Sequence, residues 1–322
     1  MTNPLEGKAI LVTGGTGAFG NAFVRYALSN GARKVAVLSR SESKQAEMKA
    51  ALSDERMRFF VGDVRDMERI ADACRGIDIV IHAAALKRVE TCEADPNEAI
   101  ATNIKGTQNV ARACIQHGVS KCILLSTDKA ASANTLYGST KLVAERVWNG
   151  ANIYSAGTET RFSCTRYGNV VGSTGSVVPT WKAQAARGER ISITHPQMSR
   201  FLMSMQDAVD LVVLALREMR GGEVFVPHLR GASIMQLAAA VVPDAQLKIT
   251  GIRPGEKLHE CLITESEARN TYVCDTHFII EPESRTWGAV TPPRGVRVAS
   301  GFTYTSDMAP RFAPAELAEL AA

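Results

Sequence analysis

The sequence predicts an α/β fold: a doubly wound parallel sheet followed by a smaller α/β C-terminal lobe. Three observations predict it. Short apolar runs alternate with helical segments through the first half of the chain. Apolar residues make up 45% of 322 positions and charged residues 22%, enough to cover a sheet on both faces. A glycine-rich turn joins the first strand to the first helix. In order, residues 9–12 (AILV) read as a buried strand, 21–30 as a helix closed by Gly31, and 34–39 (KVAVLS) as a second strand. A charged helix over 43–52, strand 57–62, helix 67–74 and strand 77–83 follow. A long helix over 96–118, strand 121–126 (KCILLS), helix 136–148 and strand 162–167 complete the series. Beyond about Gly172, Pro, Gly and polar turns become frequent, and 207–219 still reads as a helix. The expected division is a first domain over 1–171 and a lobe over 172–322, with a soft boundary and segments free to return to the first domain.

Composition excludes several classes. Thirty-seven basic residues against 33 acidic ones give a net charge of +4, too even to suggest nucleic-acid binding by charge. No apolar run approaches the ~18 residues needed to cross a bilayer, and no signal peptide is apparent. The seven cysteines form no C-x-x-C pair, which predicts reduced, mostly buried thiols in a cytoplasmic protein. The six histidines lack metal-ligand spacing, so no structural metal is expected.

The first turn predicts a dinucleotide site. Thr13-Gly14-Gly15-Thr16-Gly17-Ala18-Phe19-Gly20 sets Gly14, Gly17 and Gly20 at G-x-x-G-x-x-G spacing between strand and helix. One glycine makes the tight turn, one lets backbone approach a pyrophosphate, and one packs helix on strand. The helix N-terminus offers free N–H groups to the phosphates. This is a Rossmann-type arrangement. An acidic residue ending the second strand would bind the ribose 2′-hydroxyl of NAD. The chain instead has Ser39-Arg40, with Lys44 one turn on, which predicts NADP; a solvated Arg40 is the alternative.

Ser126-Thr127-Asp128-Lys129 ends the fifth strand, at the sheet edge where such folds bind ligands. Tyr137 and Lys141 follow at i and i+4 of a helix and share a face. An ammonium near the phenol lowers its pKa, so a phenolate can take a proton from a sugar hydroxyl as hydride leaves. The bland readings are a surface Tyr–Lys pair and a solvated Asp–Lys turn.

Together these motifs resemble the extended short-chain dehydrogenases/reductases. More narrowly, the chain resembles the soluble UDP-N-acetylglucosamine 4,6-dehydratases that invert C5 and open the pseudaminic acid pathway. The resemblance rests on TGGTGAFG (13–20), LSRSESKQAEM (38–48), GDVRD (62–66), HAAALKRVE (82–90), STDKA (126–130), LYGSTK (136–141), RYGNVVGSTGSVVP (166–179), SRFLMS (199–204) and IRPGEKLHE (252–260). A weaker match lies at 302–307. It implies Tyr137 as base for C4 oxidation, Thr127 on the C4 oxygen, Lys129 as base at C5 and Asp128 as acid for the 6-hydroxyl. To act as a base, Lys129 needs a depressed pKa, from burial or from Lys141. Tyr137 stands where the membrane-anchored relatives that retain C5 configuration typically carry Met.

The resemblance also implies Asp63 and Val64 at the adenine, and Ala83, Ala84 and Ala85 beside the cofactor ribose. Lys87 would bridge cofactor and substrate, with Tyr167, Gly168 and Asn169 near nicotinamide and the sugar phosphates. Arg253 and Glu256 are the implied UDP contacts. Val178, Thr180 and Met203 are weaker substrate candidates, for which packing or turn geometry is the alternative. His82 reads as a packed strand-end residue rather than a catalyst. Asn103 reads equally as a structural hydrogen-bonder or a site residue. Arg200 and His259 stay unassigned, as does the stretch 276–301. A homo-oligomer is implied. A retaining dehydratase, a UDP-hexose 4-epimerase and a non-catalytic NADP-binding sensor are the competing readings.

Overall fold

A computed structural model describes residues 3–173, 176–287 and 292–321. The first half forms β1 (Ala9–Thr13), α1 (Ala18–Ser29), β2 (Lys34–Ser39), α2 (Glu42–Leu52), β3 (Met57–Val61), α3 (Met67–Cys74) and β4 (Ile79–His82). Next come α4 (Val89–Ala94), α5 (Pro96–Ile100), a π-helical turn (Ala101–Lys105) and α6 (Gly106–Gln116). β5 (Lys121–Leu125), α7 (Leu136–Tyr154) and β6 (Arg161–Thr165) close the series. The expected helix over 96–118 therefore carries an inserted π turn. The helix expected over 136–148 runs on to Tyr154.

The second half adds β7 (Asn169–Val170), α8 (Val177–Ala186), β8 (Ile191–Ile193), β9 (Ser199–Met203), α9 (Met205–Glu218), β10 (Val224–Pro227), β11 (Arg230–Ser233) and α10 (Ile234–Val241). It ends with β12 (Leu247–Ile249), β13 (Cys261–Ile263), α11 (Glu265–Ala268), β14 (Thr271–Val273), β15 (His277–Ile280), β16 (Val296–Arg297), β17 (Tyr304–Thr305) and α12 (Pro314–Ala321).

Strands run parallel in the order β3-β2-β1-β4-β5-β6-β10, and antiparallel β15, β14 and β16 extend the edge. Side-chain alternation along β1 explains the two helical layers. Ala9 and Leu11 join a core with Ile70, Val110 and Trp148, under α3, α6 and α7. Ile10 and Val12 join a core with Phe23, Val212 and Leu216, under α1 and α9. Beyond Gly172, β10, β14, β15 and β16 continue this sheet, and α9 covers one face. The remaining lobe holds the β7-β9-β11 sheet, the β8-β12 pair and a core around Trp181 and Leu237.

Strand order reverses between β1 and β4, and a cleft opens at the C-terminal ends of these strands. All seven cysteines are free thiols, and Cys74, Cys114 and Cys122 lie in the core. Among the described residues, no helix is long and apolar enough to cross a membrane, and no cluster of three or more His, Cys, Asp or Glu residues could hold a metal. Thr174 and Gly175 of the RYGNVVGSTGSVVP motif, and 288–291 of the unassigned stretch, lie outside the described residues.

Candidate active site

The cleft has a volume of about 710 Å³ and begins at the β1–α1 turn. Gly14 adopts φ +66°, and a Cβ there would stand 2.8 Å from the Ala84 backbone. A Cβ on Gly20 would meet the Gly15 carbonyl oxygen at 2.4 Å, so α1 packs on the turn only without one. Gly17 caps α1 with no side-chain hydrogen bond, and the first turn carries no acid. Its N–H groups remain open to a phosphate, and the turn fits a dinucleotide. Gly14, Thr16, Gly17, Ala18 and Phe19 line the cleft, whereas Thr13, Gly15 and Gly20 stand behind it. The Thr13 hydroxyl bonds His82 Nδ1 at 2.6 Å.

Ser39, Arg40, Lys44, Asp63 and Val64 line the far end. No carboxylate ends β2; Ser39 Oγ accepts from Gln45 Nε2 at 3.0 Å. Arg65 pairs with Asp63 and Glu98 at 2.7 Å each, while Arg40 lies 3.9 and 3.8 Å from the same acids. Burial would raise the Asp63 carboxyl, but hydrogen bonds from Arg65 outweigh it and hold it below the usual range. Ala83, Ala84, Ala85 and Lys87 form the wall after β4.

The floor is the segment after β5. Backbone bonds from Ser126 to Thr165 and from Asp128 to Tyr167, at 2.7 and 3.0 Å, hold it against the end of β6. Asp128 is 1% exposed; its Oδ1 accepts from Thr127 Oγ1 at 2.8 Å and from Lys129 Nζ at 3.1 Å. Its Oδ2 is buried without a hydrogen-bond partner. Lys129 Nζ also lies 3.1 Å from Glu260 Oε1. Burial alone would push the Lys129 ammonium down, but the carboxylates of Asp128 and Glu260 win and hold its pKa well above the ordinary lysine range. This corrects the expected depression: flanked by two carboxylates, Lys129 holds its proton. Glu260 escaped the sequence reading although it ends the RPGEKLHE motif.

Tyr137 and Lys141 project from the first turns of α7, whose N-cap is Thr135. Burial pushes the Tyr137 phenol up to about 12, against lowering by the Lys129 charge and the Thr127 hydroxyl. The cation acting on the phenol is thus Lys129, a second correction. Lys141 donates to the Leu125 carbonyl at 2.7 Å, and burial pushes it down to about 8 against the pull of Glu145. Tyr167, Gly168 and Asn169 also line the cleft, as do Ser176 and Met205, whose residue types gave no signal.

Other candidates lie off the cleft lining. Val178 is buried in the core of the lobe and Met203 in the main core. Thr180 Oγ1 donates to the Ser176 carbonyl at 3.2 Å. The Arg253 N–H donates to Glu256 Oε2 at 3.0 Å, and the exposed Arg253 guanidinium pairs with Glu90 of the cleft wall at 3.0 Å. His82 is a packed strand-end residue, stacked on Trp148. Asn103, in the π turn, bonds the Leu86 N–H and carbonyl at 2.8 and 2.9 Å.

Over residues 10–282 the chain matches the family described as polysaccharide biosynthesis protein. It is 45% identical over 317 residues to a Campylobacter jejuni protein named UDP-N-acetylglucosamine 4,6-dehydratase (inverting), covering 96% of this chain and 95% of that one. A Rickettsia akari protein named UDP-glucose 4-epimerase is 41% identical over 268 residues, 81% of this chain and 79% of its own. The solved structure of Pen from Bacillus thuringiensis superposes with a TM-score of 0.89 at 34% identity, covering 98% of each chain. Solved dTDP-glucose 4,6-dehydratases and UDP-glucuronic acid 4-epimerases with NAD bound share the fold at 21–23% identity and TM-scores of 0.70–0.71, over 77–78% of this chain and 86–88% of theirs.

Proposed function

We propose a function on the premise that the chain belongs to the polysaccharide biosynthesis protein family, within the extended short-chain dehydrogenase/reductase superfamily. The protein is an NADP-dependent UDP-N-acetylglucosamine 4,6-dehydratase that inverts C5 and yields UDP-2-acetamido-2,6-dideoxy-β-L-arabino-hex-4-ulose, a hydro-lyase. The observation that carries this reading is the Asp128–Lys129 pair, 3.1 Å apart on the cleft floor among the groups facing Tyr137. A 4-epimerase needs the tyrosine but no acid–base pair for elimination. The named relative at 45% identity supports the same choice.

Bound in the cleft, the dinucleotide would accept hydride from C4 and return it to C6. Tyr137 takes the C4 hydroxyl proton, and the charge of Lys129 favours the phenolate. Thr127 bonds the C4 oxygen. The C4 ketone acidifies C5–H, which Lys129 removes. Asp128 Oδ2, buried without a partner, is the oxygen that protonates the departing 6-hydroxyl. C5 is then reprotonated from the opposite face. Arg40 and the absence of an acid at the end of β2 support NADP over NAD.

The test is incubation of the pure protein with UDP-N-acetylglucosamine. Loss of one water, with L-arabino configuration by NMR, is expected. Unchanged mass would point to epimerisation, and a D-xylo product to the retaining branch. Titration with both dinucleotides should give the tighter Kd for NADP; a clear NAD preference would overturn that part.

A further inference from the structure

The polar group around Lys129 is larger than the pair used for elimination. Lys129 Nζ stands 3.1 Å from Asp128 Oδ1 on one side and 3.1 Å from Glu260 Oε1 on the other. Glu260 enters from the C-terminal segment, just before β13, with its side chain 4% exposed. Its Oε2 is buried without a hydrogen-bond partner. Its backbone N–H donates to Ser306 Oγ at 2.9 Å, which continues through Ser199 Oγ to His259 Nδ1. Arg200 Nε lies 3.8 Å from Glu260 Oε1. The charged and titratable groups facing Lys129 are therefore Asp128, Glu260, Arg200 and the Tyr137 phenol. Those facing Glu260 are Lys129 and Arg200, with His259 beside it in the hydroxyl chain.

An ammonium has no lone pair, so Lys129 must shed a proton before it can take one from carbon. Asp128 cannot receive it, because its acid proton comes from the Tyr137 phenol through Thr127 Oγ1 as the phenolate forms, and it holds that proton for the 6-hydroxyl. We propose that Glu260 is the third member of the acid–base group and takes the proton that Lys129 sheds. This rests on the dehydratase reading. One N–H bond of the ammonium breaks and an O–H bond forms on Glu260. The freed lone pair on Nζ removes the C5 proton as the C6–O bond breaks, and Asp128 gives its proton to the leaving hydroxyl. Lys129 keeps the C5 proton, Asp128 is a carboxylate again, and Glu260 gives its proton to solvent while solvent supplies the proton that enters C5 from the opposite face. The three groups end as they began.

Glu260→Gln keeps the shape and removes the proton acceptor. Three quantities are followed between about pH 6 and 9: water loss, solvent deuterium entering C5, and reduction of the bound dinucleotide on adding substrate. The wild type should be nearly flat with pH, since the proton moves internally. E260Q should lose elimination by roughly 10²-fold or more at neutral pH. It should recover as pH rises, because Lys129 must then lose its proton to solvent, and dinucleotide reduction should persist. Glu260→Asp, which keeps a titratable oxygen, should stay flat even at a lower rate. A wild type that leaves the sugar's mass unchanged removes the functional reading and the relay together. A dehydrating wild type with an E260Q profile parallel to its own, or an E260D profile that rises with pH, removes the relay alone.

Discussion

His82 lies behind the cleft lining, and it sets an acid limit on the fold. Its ring bonds Thr13 Oγ1 at 2.6 Å and Thr107 Oγ1 at 3.0 Å, and it is fully buried. Burial, helped by the charge of Lys141, pushes its pKa down to about 3. The unfolded ring titrates near its ordinary value, about 6.5. Between these values the unfolded chain binds a proton that the folded chain refuses, so stability falls with pH across that window. The full difference is about 5 kcal/mol. Denaturant midpoints should therefore drop steeply from about pH 6.5 to 4, and His82→Gln should flatten that slope; an equally steep loss in the variant contradicts the assignment. His82 was legible because an apolar strand surrounds it. The charge state of Lys129 was not. Its sign depends on Glu260, which is distant in sequence, and on which of burial and two carboxylates wins.

Elements of the first half were legible because each strand and helix is a contiguous run whose periodicity declares it. The π turn was not: an extra residue within 96–116 leaves the apolar spacing almost unchanged. β10, β14 and β15 were missed for another reason. Each is a short run among turns, and only pairing with a distant strand makes it one. The π turn has a task that Asn103 makes visible. The cleft wall over 83–88 has no regular structure, and Asn103 accepts from the Leu86 N–H and donates to its carbonyl, with Thr140 Oγ1 at 3.0 Å as its third partner. Removing the amide leaves the Leu86 N–H unpaired and its carbonyl with only the Cys92 thiol at 3.8 Å, at about 1–3 kcal/mol for each group that stays dry. Asn103→Ala should cost about 2 kcal/mol in urea unfolding and also weaken dinucleotide binding, because Ala83 to Lys87 lose their anchor. Unchanged dinucleotide affinity in a destabilised variant would confine Asn103 to a stability role.

At the scale of the whole molecule, the site depends on a join that sequence motifs do not reveal. Arg166 opens the RYGNVVGSTGSVVP motif, yet it is 1% exposed and stands outside the cleft lining. Its guanidinium forks onto Glu145 of α7 at 3.0 and 2.7 Å and onto Glu267 of α11 at 3.0 and 2.9 Å, and also donates to the Leu262 carbonyl at 2.9 Å. One side chain thus fastens the helix bearing Tyr137 and Lys141 to the segment bearing Glu260. Burial would raise the Glu267 carboxyl, but Arg166 outweighs it and holds it below the usual range. Arg166→Met leaves two buried carboxylates with no cation between them, a loss of about 3–5 kcal/mol. The sign with pH follows. Without the guanidinium, burial raises the Glu267 carboxyl above its unfolded value, so the folded variant binds a proton that the unfolded chain releases. Its deficit against the wild type should therefore be larger at pH 8 than at pH 5, and Glu267→Gln in the same chain should narrow that difference. A deficit independent of pH would mean that Arg166 contributes packing alone. A deficit that narrows toward pH 5, accompanied by loss of elimination with dinucleotide binding intact, would show that the join also holds Glu260 against Lys129.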